Sequence, residues 1–192
     1  MNVKRDFYLK QLVDSMWDGQ VKVITGLRRC GKSYLLKNLF GGYLRENGVA
    51  EDQIILLELD LLSHAVYRNP IKLVEFVREK VSDDGVRRYL FIDEIQLCEE
   101  VENPALPDGK KLTFYDALNE FKSLPNLDVY VTGSNSKMLS SDILTEFRGR
   151  GNEIRVHPFS FGEYLSARGG DRREALNDYL LFGGMPYSVS IE

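Results

Sequence analysis

The chain has 192 residues, 43% of them hydrophobic and 28% charged, which is enough to bury a core and too apolar for a disordered or fibrous polypeptide. Its 25 Lys and Arg against 29 Asp and Glu leave a formal net charge of -4, so no chain-wide basic field draws in nucleic acid or an anionic membrane. Apolar runs such as 54–57 and 89–92 are broken by charge far short of a membrane span, and the first twenty residues hold no continuous apolar segment; Cys30 and Cys98 have no zinc-ligand spacing. Together these features predict a cytoplasmic protein with free thiols and no membrane partner.

In chain order, Leu9, Leu12, Val13, Met16 and Trp17 mark one face of a leading helix that ends near Gly19. A β-branched strand over 21–25 is followed by a glycine-bounded loop and by a helix carrying Leu36, Leu39, Phe40, Tyr43 and Leu44, whose last turns Gly41 and Gly42 weaken. A second strand over 54–59 closes on Asp60, and Asn69-Pro70 opens a helix with Val74, Val77 and Val81 on one face. A third strand covers 89–92. Residues 98–112 hold prolines, a glycine and mixed charge without periodicity, which reads as an inserted exposed loop. Thr113 with Asp116 is a capping box before Phe114, Ala117, Leu118 and Phe121; strand four spans 127–132. A helix with Leu139, Ile143 and Phe147 then leads to a fifth strand at 154–156. Strands alternating with helices predict an α/β fold with a parallel sheet covered on both faces. Beyond Pro158, Ser160 with Glu163 and Asp171 with Glu174 each start a helix, the second stopping at Gly183-Gly184, and the chain reads as truncated soon afterwards.

Gly26-Leu27-Arg28-Arg29-Cys30-Gly31-Lys32-Ser33 matches G-x-x-x-x-G-K-[ST] between a predicted strand and a predicted helix. Glycines allow successive backbone N–H groups to turn inward, and the helix N-terminus adds partial positive charge where phosphates sit. Lys32 supplies a point charge to the β- and γ-phosphates, the Ser33 hydroxyl is placed to ligate Mg²⁺, and Tyr34 completes the expected nucleotide-binding stretch. The strand Tyr89-Leu90-Phe91-Ile92 delivers Asp93 and Glu94 at its carboxyl end, where open α/β sheets bind ligands. Asp93 is expected at the metal, and Glu94 as the group that orients or deprotonates the attacking water. Without Lys32 upstream, such an acidic pair would read only as an exposed turn.

The fourth strand ends in Thr132-Gly133-Ser134-Asn135, from which Asn135 first and Ser134 second would reach the γ-phosphate or the water if strands three and four are neighbours. Arg148-Gly149-Arg150-Gly151 offers a guanidinium that stabilises developing phosphate charge, or else a solvated basic loop. Arg28 and Arg29 face solvent or a partner, because the loop's backbone does the cradling. His64 and His157 lack companions at metal-ligand spacing. Arg87-Arg88 and Arg172-Arg173 give DNA binding only weak support.

Ile24-Thr25-Gly26-Leu27-Arg28-Arg29-Cys30-Gly31-Lys32-Ser33, Phe91-Ile92-Asp93-Glu94-Ile95-Gln96 and Thr132-Gly133-Ser134-Asn135-Ser136 together resemble the AAA+ ATPases found in two-domain bacterial and archaeal ATP-binding proteins, relatives of origin-recognition-type ATPases. Gly149-Arg150, the segment Pro158-Phe159-Ser160-Phe161-Gly162-Glu163-Tyr164 and Phe182-Gly183-Gly184-Met185-Pro186 resemble later signatures of the same family. The resemblance implies a P-loop fold with a five-stranded parallel sheet of order 5-1-4-3-2, ATP and Mg²⁺ as cofactors, and Arg150 acting on the nucleotide of a neighbouring subunit in a homo-oligomer of the full-length protein. It also implies a lid and a C-terminal domain of nuclease-like fold, so that 1–157 would be the ATPase core and 158–192 the start of the lid. Arg5 resembles a residue of the family's adenine-side helix. The reading is an ATP phosphohydrolase whose turnover drives conformational change, and its alternative is an ATP-gated switch or DNA- or partner-binding module with very slow hydrolysis.

Overall fold

The computed structural model describes residues 3–81, 84–103, 109, 111–134 and 151–190. Asn135, Arg148, Arg150 and the helix expected around Leu139, Ile143 and Phe147 lie outside the described residues. Helix α1 (Asp6–Asp14) precedes strand β1 (Val21–Gly26), which ends on the phosphate-loop motif. Helix α2 follows in three parts, Lys32–Tyr34, a π-helical stretch Leu35–Phe40 and Gly41–Glu46. Strand β2 (Ile54–Glu58) and a 3₁₀ segment (Leu62–Arg68) lead to α3 (Pro70–Lys80), which starts on Asn69 accepting the N–H groups of Ile71 and Lys72. Strand β3 (Arg88–Asp93), helix α4 (Phe114–Lys122), strand β4 (Leu127–Thr132) and strand β5 (Gly151–Val156) complete the core. Helices α5 (Phe161–Arg168) and α6 (Arg172–Phe182) close the described chain with a 3₁₀ turn over Pro186–Ser190.

All pairings in the main sheet are parallel, and its order is β2-β3-β4-β1-β5, which read from the other edge is the expected 5-1-4-3-2. Central β1 and β4 are buried along their whole length, as strands covered on both faces must be. One face packs Val23, Leu57, Ile92 and Val131 against Leu73 and Val77 of α3 and Leu118 and Phe121 of α4. The other packs Ile24, Phe91, Tyr130 and Ile154 against Leu12 of α1 and Leu36, Phe40 and Leu44 of α2. A third, smaller cluster joins Val3 to Phe159, Tyr164 and Ala175.

The helix expected to carry Tyr43 and Leu44 runs through Gly41 and Gly42 to Glu46, with Gly41 buried where a Cβ would meet Arg45 Nη1 at 3.2 Å and Phe91 at 3.7 Å. Local expectations meet two differences elsewhere. Within 98–112, Val101 and Glu102 pair antiparallel with Leu112 and Lys111, so the insertion carries a short ladder of its own rather than loop alone. The last strand begins at Gly151, three residues before the apolar run that announced it. The capping boxes form as expected: Thr113 N–H donates to Asp116 Oδ2 at 2.8 Å, and Ser160 N–H to Glu163 Oε2 at 2.8 Å.

Between β1 and β4 the sheet buries a charge network. Lys22, fully buried, donates to Asp128 Oδ1 at 2.6 Å and Asp18 Oδ1 at 2.7 Å. Asp128 Oδ2 accepts from Tyr130 Oη at 2.7 Å and from the Trp17 backbone N–H at 3.0 Å. Burial and the neighbouring Asp128 carboxylate push the Tyr130 phenol far above its ordinary range, which favours the protonated form that donates to Asp128.

Candidate functional site

The site lies at the carboxyl ends of β1, β3 and β4, which the sheet order makes adjacent. Strand β1 turns out of the sheet at Gly26, whose φ is +143°, and β5 runs so close that a Cβ there would fall 2.2 Å from Val156 O and 3.0 Å from Cys30 Sγ. Only glycine fits both the conformation and the space. Gly26→Ala is therefore expected to cost about 2–4 kcal/mol and lower the thermal midpoint by roughly 5–15 °C, read by calorimetry. Leu27, Arg28 and Arg29 are exposed at the loop's crest, Arg29 in the left-handed region at φ 65°. Gly31, at φ 97°, is the N-cap from which α2 starts.

Lys32 is 3% exposed, and its ammonium donates to Gly26 O at 3.2 Å and Leu27 O at 2.9 Å. Its charge is thus held inside the loop's own curve. Ser33 Oγ donates to Asp93 Oδ1 at 2.9 Å, and the buried Thr132 hydroxyl donates to the same oxygen. Thr132 Oγ1 also accepts from the Glu94 N–H at 3.1 Å, so the end of β4 holds the Asp93 carboxylate and the backbone of Glu94 just beyond β3. Glu94 itself sits at φ 56°, a left-handed conformation uncommon outside glycine and typical of strained functional turns. Its carboxylate accepts from Gln96 Nε2, which donates as well to Ser134 Oγ at 3.0 Å.

A further layer was not read from the sequence. Register places Glu58 of β2 opposite Asp93, and Lys37, from the π-helical stretch of α2, pairs with Glu58 and approaches Asp93 Oδ2 at 3.9 Å. Carboxylate oxygens of Glu58, Asp60 and Asp93 lie within 4.8 Å of one another. Together with Ser33 this is an all-oxygen donor set, the chemistry that suits Mg²⁺.

Arg5 is the other residue that charge alone disguises. It is 2% exposed, and its guanidinium donates to Cys30 O at 2.9 Å, His157 O at 2.7 Å and Glu163 Oε1 at 3.0 Å, joining the phosphate loop, the end of β5 and α5. Its flat faces lie over Tyr8 and Phe159, 4.5 and 5.2 Å from the ring centroids. Beside it a cavity of about 220 Å³ is lined by Val3, Arg5, Gly31, Tyr34, Phe159 and Pro186. No spacing rule could assemble residues so far apart; the resemblance of Arg5 to an adenine-side residue was the single sequence signal. Cys30 is fully buried and donates its thiol to Val156 O at 3.4 Å; burial pushes its pKa up, and that of the half-buried Cys98 up to about 12, which disfavours the thiolate at both.

A glycine-turned loop at the end of β1, a lysine folded into it, and a hydroxyl meeting a buried aspartate of β3, one strand beyond β4, define a P-loop, ATPase-type nucleotide-binding domain. The AAA domain family model matches residues 18–165, and the chain belongs to that family. It is similar to an uncharacterised protein of Haemophilus influenzae, with 31% identity over 97% of this chain and 44% of that relative, so it spans less than half of the relative's length. Among solved structures it is similar to the Walker-type ATPase PABY2304 of Pyrococcus abyssi, at TM-score 0.63 and 17% identity over 98% of this chain and 66% of that one. It is similar also to AMPPCP-bound DnaA of Aquifex aeolicus, at TM-score 0.60 and 16% identity over 98% of this chain and 61% of that one. Among the described residues no helix is long and apolar enough to cross a membrane.

Proposed function

We propose that this chain binds ATP with Mg²⁺ and hydrolyses it, using the energy to move a lid against the α/β core. The observation that carries the reading is the phosphate loop at the end of β1, with the Lys32 ammonium held inside its curve and the Ser33 hydroxyl donating to Asp93 at the end of β3, Glu94 standing one residue further along. The backbone N–H groups from Gly26 to Ser33 cradle the phosphates, and Lys32 exchanges its loop carbonyls for the β- and γ-phosphate oxygens. Bound Mg²⁺, held by Ser33 and Asp93, would neutralise charge on those oxygens. Glu94 takes the proton of the attacking water, and Ser134 with Asn135 donates to the phosphate or the water. Arg150 completes charge stabilisation, in a homo-oligomer on the neighbouring copy's nucleotide. Asn135 enters by its place after the fourth strand and Arg150 by resemblance, both outside the described residues.

The cavity beside Arg5 takes the base, its walls Val3, Phe159 and Pro186 offering apolar contact to a planar ring. Residues 1–157 form the ATPase core and 158–192 the start of the lid, the two meeting through Val3 in the cluster of Phe159, Tyr164 and Ala175 and through Arg5 on Glu163. DNA binding by the whole protein has only the weak support of Arg87-Arg88 and Arg172-Arg173, and Arg88 is already engaged by Asp84 at 2.7 Å. Phosphate release from MgATP by the purified full-length protein tests the proposal, with GTP as the comparison. Tight ATP binding without phosphate release would leave the switch as the better account.

A further inference from the structure

Gln96 stands two residues beyond Glu94 in a 3₁₀ turn, Ile95–Leu97, that starts from the left-handed Glu94 and is closed by Leu97 N–H donating to Glu94 O at 2.9 Å. That reversal brings the two side chains to the same side of the strand end. A carboxylate offers only acceptors, so the amide must turn its NH₂ toward Glu94. One hydrogen meets Glu94 Oε2, and the other meets Ser134 Oγ at 3.0 Å. Gln96 Oε1, on the other side of the amide, is buried and finds no hydrogen-bond partner among the described residues. Leaving an acceptor buried and unpaired is costly. An orientation that accepts this cost and keeps both N–H bonds points to a requirement on the NH₂ side.

We propose that Gln96 is a positioning residue for Glu94. It ties one carboxylate oxygen to the end of β4, leaving Oε1 of Glu94 to receive the proton of the attacking water. The chain Glu94–Gln96–Ser134 spans two strands, so a shift of β4 against β3 would misalign the base without touching the phosphate loop. This inference rests on Glu94 being the base.

The test uses the full-length protein and two variants of near-native volume. Gln96→Met removes the amide, and Gln96→Glu replaces its donors with a second carboxylate facing Glu94. Steady-state phosphate release against ATP concentration, with calorimetric MgATP binding alongside, separates the roles. For both variants kcat is expected to fall on the order of tenfold or more, while KM and Kd stay within about twofold of wild type. Wild-type or raised kcat in either folded variant overturns the proposal, as does a loss that appears equally in Kd. If one variant does not fold, the other carries the same prediction. A wild-type protein that binds ATP yet releases no phosphate removes the assignment of Glu94 and this inference with it; wild-type turnover with unaltered variants removes this inference alone.

Discussion

Lys32→Ala should weaken MgATP binding by on the order of a hundredfold or more, since it deletes the one side-chain charge that the loop holds within its curve. The fold should survive. Lys32 bridges two carbonyls of a local turn, whereas the loop's position is fixed by Arg5 on Cys30 O and by the approach of β5 to Gly26. Titration calorimetry measures the affinity, and a thermal melt confirms that the variant is folded. A folded Lys32→Ala protein with normal ATP affinity would remove the phosphate-binding assignment and everything resting on it.

Glu94→Gln should do the opposite, keeping ATP affinity within a few-fold while lowering kcat by about 10²–10⁴, the usual contribution of a positioned general base. The substitution preserves shape, and its new amide oxygen still accepts from Gln96, so the turn at φ 56° and the bond from its N–H to Thr132 Oγ1 remain. Single-turnover phosphate release, measured with ATP prebound, isolates the chemical step. Turnover within threefold of wild type would show that another group handles the water's proton.

The three middle strands of the sheet were legible because each is a short apolar run ended by a residue with a different task, Gly26, Asp93 or Thr132. Their order followed from resemblance, since periodicity says nothing about which strand lies beside which. The phosphate loop and the acidic pair were legible for the same reason they work: both are contiguous in sequence. Lys37 and Glu58 were not, because each reads as an ordinary surface charge until β2 is laid in register on β3 and the π-helical stretch directs the lysine to that edge. Nor was Arg5, whose burial depends on three acceptors from distant parts of the chain. The cavity beside it brings residue 3 near residue 186, a juxtaposition made only by packing.

The buried Lys22 bears on how the sheet assembles. Strands buried on both faces offer less to tell a correct neighbour from a wrong one than strands with a wet and a dry side do. An ammonium seated between β1 and β4 reduces that ambiguity: beside a strand without Asp128, or after a one-residue slip that turns it to the other face, it would be stranded, at a penalty of several kcal/mol. The edge that later handles phosphate is thereby aligned by an ionic key at the opposite end of the same two strands.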